Sequence, residues 1–128
     1  MSQEKTYKYT DEELINGALN RDRLLQEMLY RKYADAMYNI AMRYAKDVDE
    51  AAEILQEGFI KVFDKLDQHD TSKSLAAWIK RIIINTAITK VQKKALEKEK
   101  IQQYALEQID LEEDHDAKNE KAQEIKTQ

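Results

Sequence analysis

The chain has no cysteine, no proline and only two glycines in 128 residues. Lack of cysteine excludes disulfides and thiolate metal sites. Lack of proline and near-lack of glycine leave little from which to make the turns of a sheet, while abundant Ala, Leu, Ile, Glu, Lys and Gln favour helix, so the expected class is all-α. No apolar run approaches the about 18 residues that indicate a membrane span, and the start Met1-Ser2-Gln3-Glu4-Lys5 has no apolar signal core. A soluble, cytoplasmic protein is expected. Catalytic signatures are also missing. The two histidines, His69 and His115, fall in turn and tail contexts, and there is no glycine-rich phosphate loop or carboxylate pair on an evident cleft. No enzymatic activity, cofactor or metal site is expected.

What is present is helical periodicity. Residues 1–9 carry no pattern and read as a flexible N-terminus. Thr10-Asp11-Glu12-Glu13 fits a capping box opening a short helix to about Leu19, and Asn20-Arg21-Asp22 reads as a break followed by a new cap. From Arg23 to Lys46 apolar residues recur at helical spacing, predicting one long helix or two with a bend near Ala34-Asp35. Asp47-Val48-Asp49 is a short charged corner that caps a helix ending at Leu66, whose Glu50, Glu53, Glu57, Lys61 and Asp64 make one face mostly acidic. Gly58 in mid-helix costs about 1 kcal/mol relative to Ala, which suggests that another chain or helix approaches there.

After the polar turn 67–74, Ser74 caps a further helix. Its Ile82-Ile83-Ile84 run reads locally as strand, but the segment is apolar around much of its circumference, as expected of a helix packed between others. Trp78, between Ala77 and Ile79, reads as core rather than as a base-stacking residue. The expected core is Leu29, Tyr33, Met37, Ile40, Leu55, Phe59, Val62, Phe63, Trp78, Ile82 and Ile83. Beyond Ala95 helix propensity stays high to about Ile109, and the acidic run 110–116 reads as disorder. The expected organisation is a helical domain over 10–95 and a partly helical, acidic linker or tail over 96–128.

The net charge of −4 argues against nucleic acid until its distribution is considered. Residues 1–72 sum to −5, residues 73–100 to +6 and residues 101–128 to −5. Exposed charges farther apart than about 8–10 Å are largely screened, so the central segment can form a local anion-binding surface. A stripe of Arg81, Asn85 and Gln92 beside Lys90, Lys93 and Lys94 offers an amide for a base edge and cations for phosphates.

Leu55-Gln56-Glu57-Gly58-Phe59, then Ala77-Trp78-Ile79 and Asn85, preceded by Leu29-Tyr30-Arg31-Lys32-Tyr33-Ala34 and Met37-Tyr38-Asn39-Ile40-Ala41, resemble region 2 of bacterial sigma factors, and among these the extracytoplasmic-function group. The resemblance runs over roughly residues 10–95. It implies a compact bundle of about four helices that docks on RNA polymerase core and recognises and helps melt the promoter minus-ten element at transcription initiation. Glu53, Gln56, Glu57, Ile60 and Phe63 would meet the coiled coil of the polymerase largest subunit. The turn at 68–74, with Lys73 and Ser74, would cradle a base flipped from the non-template strand, with Lys80, Arg81, Asn85, Lys90, Lys93 and Lys94 as further DNA contacts. The chain departs from the family at Thr89-Lys90, where an acidic and an aromatic residue are common. Lys93-Lys94 stand where arginines are usual, so phosphate contact suits them better than base reading. In the family an acidic linker leads on to a helix-turn-helix domain reading the minus-thirty-five element. No such domain is expected within these 128 residues. An anti-sigma factor is a further partner class that the resemblance admits. The alternative reading is a non-enzymatic helical adaptor that binds a protein through its acidic face.

Overall fold

The computed structural model describes residues 8–127, with side chains described from 8 to 112. Most of the stretch expected to be flexible, and the side chain of His115, lie outside those bounds. The described residues form four α-helices and no strand: α1 (Asp11–Leu19), α2 (Arg23–Met42), α3 (Val48–Asp64) and α4 (Leu75–Thr127). A single 3-10 turn, Leu66–Gln68, lies between α3 and α4. No helix among the described residues is long and apolar enough to cross a membrane.

Each helix starts where side chains satisfy its first free amides. The Thr10 hydroxyl accepts from the Glu13 amide, and the Glu13 carboxylate accepts from the Thr10 amide in return. The Asp22 carboxylate accepts from the amides of Leu24 and Leu25, Asp47 from Glu50, and Ser74 from Ala77. Arg21 absorbs the reversal between α1 and α2 with a φ of 61°. α2 is one unbroken helix that stops at Met42, short of Lys46, and α3 gives way at Lys65 to the turn that buries Leu66.

The first compact unit ends at Val91. Its core consists of stripes at i, i+4 spacing: Leu29, Tyr33, Met37 and Ala41 on α2, and Leu75, Ile79, Ile83 and Ala87 on α4. Between them lie Ala51, Ile54, Leu55, Phe59 and Val62 of α3, while α1 adds Leu14, Ile15 and Ala18. The expected core list is therefore incomplete, and four of its members are only partly buried: Ile40, Phe63, Trp78 and Ile82. On α4 the buried axis runs through Ile79 and Ile83 rather than Trp78 and Ile82, about 100° away around the helix. Glu50, grouped from the sequence with the acidic face, is buried, and its carboxylate accepts from the Lys46 amide at 3.2 Å.

Gly58 and Gly17 mark the closest approaches. A Cβ on Gly58 would overlap Cδ1 of Ile83, and one on Gly17 would overlap the Leu25 side chain, so a methyl group at either site forces that neighbour to shift. The second unit, from Gln92 on, is helical through Thr127, past the boundary expected near Ile109. No proline or glycine interrupts that stretch.

Candidate functional site

Two concavities on the first unit gather residues predicted for function. One, of about 500 Å³, opens between α1 and the turn after α3, and is lined by Asp11, Glu12, Ile15 and Asn16 on one side and His69, Thr71, Lys73, Ser74 and Leu75 on the other. The turn owes its shape to Asp70, whose carboxylate accepts from both the Ser72 amide at 2.9 Å and the Ser72 hydroxyl at 2.7 Å. Those hydrogen bonds, from the amide first, favour the charged carboxylate and lower its pKa below 3.8. On the α1 side Asp11 accepts from Lys32 and from the Tyr33 hydroxyl, both at 2.6 Å. Partial burial pushes the Asp11 pKa up, but these hydrogen bonds outweigh it and the net direction is down. His69 packs edge-on against Trp78, with ring centroids 5.2 Å apart. Neither His69 ring nitrogen has a hydrogen-bond partner among the described residues.

Carboxylates, an amide, hydroxyls and an ammonium thus surround an open cavity wide enough for one unstacked heterocycle. Donors and acceptors are both available to its edge. Of the predicted DNA-contacting residues, Lys73 and Ser74 line this pocket. Lys80, Arg81 and Asn85 are exposed on α4, with Arg81 and Asn85 one turn apart on the side away from the Ile79–Ile83 core axis. Lys93 and Lys94 belong to the second unit.

The other concavity is a more apolar groove of about 530 Å³ on the α2–α3 side, lined by Tyr30, Tyr38, Ala52, Leu55, Gln56, Phe59, Ile60 and Phe63. It gathers three of the predicted polymerase-docking residues: Gln56, Ile60 and Phe63. Ile60 is 62% exposed, unusual for an isoleucine on a helix with a well-filled core. Tyr30 stacks edge-on over Phe59 with centroids 4.8 Å apart. Tyr30 and Tyr38, named from the sequence only within the motifs of the resemblance, come to the groove through the packing of α2 on α3.

Glu53 and Glu57, the other two docking candidates, meet Lys90, a DNA candidate. Lys90 Nζ lies 2.5 Å from Glu57 and 3.3 Å from Glu53, and its side chain is 14% exposed. The hydrogen bond to Glu57 is the main reason that its pKa is raised above 10.5. Next along the same seam, Lys61 donates to the buried Thr86 hydroxyl, which in turn donates to the Ile82 carbonyl. The acidic stripe and the start of the basic segment are therefore partly joined to each other. Sequence reasoning missed Asp11, Glu12, Ile15 and Asn16 as pocket residues, whereas His69 and Thr71 lie in the turn it named. The polar turn was legible, but its pairing with α1 is a contact across more than fifty residues that no local pattern records.

Comparison with known proteins gives a consistent picture. The chain is 34% identical over 62 residues to the ECF RNA polymerase sigma factor SigW of Bacillus subtilis, a match covering 48% of this chain and 33% of that protein. It is 30% identical over 77 residues to the RNA polymerase sigma-H factor of Pseudomonas aeruginosa, covering 60% and 40% respectively. The chain thus spans between a third and two fifths of the length of these relatives. Among solved structures it resembles an engineered region 2 of sigmaE, determined by NMR in complex with GTAAAA, with a TM-score of 0.64 and 25% identity over 71% of this chain and 95% of that one. The Sigma-70 region 2 family model matches residues 29–97, more than half of the chain. The chain belongs to the Sigma-70 region 2 family.

Proposed function

We propose that this chain docks on RNA polymerase core through the α3 face and groove, and that it holds an unstacked base of the promoter minus-ten element, from the non-template strand, in the pocket between α1 and the 68–74 turn. The observation that carries this reading is the pocket itself. It is open, polar on both walls, and built around the turn for which the family resemblance implies base capture. The related region 2, determined in complex with GTAAAA, supports a short oligonucleotide as the class of ligand. Bases held this way must first leave the stack, so single strands are the preferred ligand.

Positive charge is limited, and acidic segments flank it in sequence, so binding by the isolated chain is weak. If about three phosphates are neutralised, log affinity against log salt has a slope near about −2 for a single strand. Lys93→Ala with Lys94→Ala flattens that slope for every sequence. Asn85→Ala instead reduces discrimination between a promoter-like strand and a scrambled one, because an amide releases no counterion. Fluorescence anisotropy over a salt series, with and without core polymerase, tests this. Equal or tighter binding to duplex, or no sequence preference with core present, overturns the reading.

A further inference from the structure

The second unit, taken by itself, carries an apolar face that nothing covers among the described residues. Ile101 is 68% exposed and Ile109 50%, while Tyr104, Leu106 and Leu111, also exposed, lie about 100° or more around the helix from Ala105, midway between the two isoleucines, and outside this face. Isolated exposed apolar side chains are ordinary, but a run of them on one helix marks an interaction surface. At about 100° per residue, Ile101, Ala105 and Ile109 form a single i, i+4 stripe. Lys98 continues the stripe toward the N-terminal end and Glu112 toward the C-terminal end. The flanking charge is polarised in the same sense. Residues 92–100 hold four lysines against two glutamates, and residues 106–112 hold Glu107, Asp110 and Glu112 with no base.

We propose that the occupant of this face is a second copy of the chain, packed antiparallel about a two-fold axis at Ala105. In that register Ile101 of one copy meets Ile109 of the other, and Lys98 meets Glu112 at both ends. The small Ala105 lies at the axis, where the two backbones come closest. A two-fold contact requires a self-complementary patch, and a stripe that is basic at one end and acidic at the other is self-complementary only when reversed. Parallel pairing sets Lys98 against Lys98 and Glu112 against Glu112, a like-charge cost at each end. The contact spans fifteen residues, about 21 Å of helix, with two isoleucines from each copy as its large apolar side chains. The dimer is therefore weak. It requires neither DNA nor polymerase, so it stands apart from the function proposed above.

Sedimentation equilibrium of the full chain from about 10 to about 500 μM shows a monomer–dimer equilibrium if the surface operates as described. Lys98→Glu alone and Glu112→Lys alone each weaken dimerisation about fivefold or more, and the two together restore it, because the end pairs are re-formed with reversed polarity. Ile101→Asp with Ile109→Asp abolishes it while the thermal melt of the first unit is unchanged. The chain has no cysteine, so geometry can be read directly. Ala105→Cys forms an intermolecular disulfide under mild oxidation, whereas Lys98→Cys does not, its two copies lying about 21 Å apart along the pair. A monomer at every concentration overturns the proposal. So does a charge-swapped double variant weaker than either single one, or efficient cross-linking through Lys98→Cys.

Discussion

Lys90 on α4 reaches Glu57 on α3 at 2.5 Å and so ties together two surfaces that look separate along the chain. Its ammonium stands among acids, not at the free edge of a basic patch. Before Lys90 can hold a phosphate it must leave two carboxylates, and before those carboxylates can meet a basic partner they must be released by Lys90.

The bridge itself contributes modestly. Glu57 is 49% exposed, so a double-mutant cycle of Glu57→Ala and Lys90→Ala should give a coupling of about 0.5–1 kcal/mol in chemical denaturation. Docking separates the two partners further. Under the docking proposed above, Glu57→Lys should weaken binding to core polymerase, whereas Lys90→Ala, which releases Glu57 from its bridge, should preserve or strengthen it. Equal losses of core affinity in both variants would remove the α3 acids from the docking surface.

Phe59→Ala should destabilise the fold by about 3–5 kcal/mol, because the ring is 3% exposed and packs against Tyr30 and Phe63. The loss is read as a lowered denaturant midpoint with an unchanged slope. A midpoint within error of the parent would place the ring outside the core.

Gly58→Ala should also destabilise, by about 1–3 kcal/mol, although alanine is the better helix former, because the added methyl meets Ile83. Combining it with Ile83→Val, which removes the colliding Cδ1, should recover part of the loss. Were Gly58→Ala to raise the melting temperature by itself, the close approach of α3 and α4 would be wrong.

Asp11 sets an acid limit on stability. Its pKa is lowered in the folded chain, so its contribution is fully present above the ordinary value of 3.8 and is lost as pH falls through the lower folded value. Asp11→Asn should therefore flatten the acid end of a stability–pH profile recorded by thermal melts from about pH 6 to about pH 2. A profile parallel to that of the parent would show that Lys32 and Tyr33 do not hold the carboxylate charged.

Local chemistry determined much of this protein from the sequence alone. The caps at Thr10, Asp22, Asp47 and Ser74 were legible because a cap is a contact within three residues, and so were the all-α class and the polar turn. The resemblance to sigma region 2 rested on ordered short motifs and was likewise readable, and Gly58 announced a close neighbour without naming Ile83. Only the tertiary structure decided which side of α4 is buried, since a helix apolar around much of its circumference does not say which stripe faces inward. It placed Ile79 rather than Trp78 on the core axis. It also set α1 opposite the 69–75 turn to make the pocket, brought Tyr30 and Tyr38 to the groove, and joined Lys90 to Glu57 across 33 positions. Each of these pairings closes a long loop, and the free energy that pays for closure comes from burying the whole core at once, which no single segment encodes.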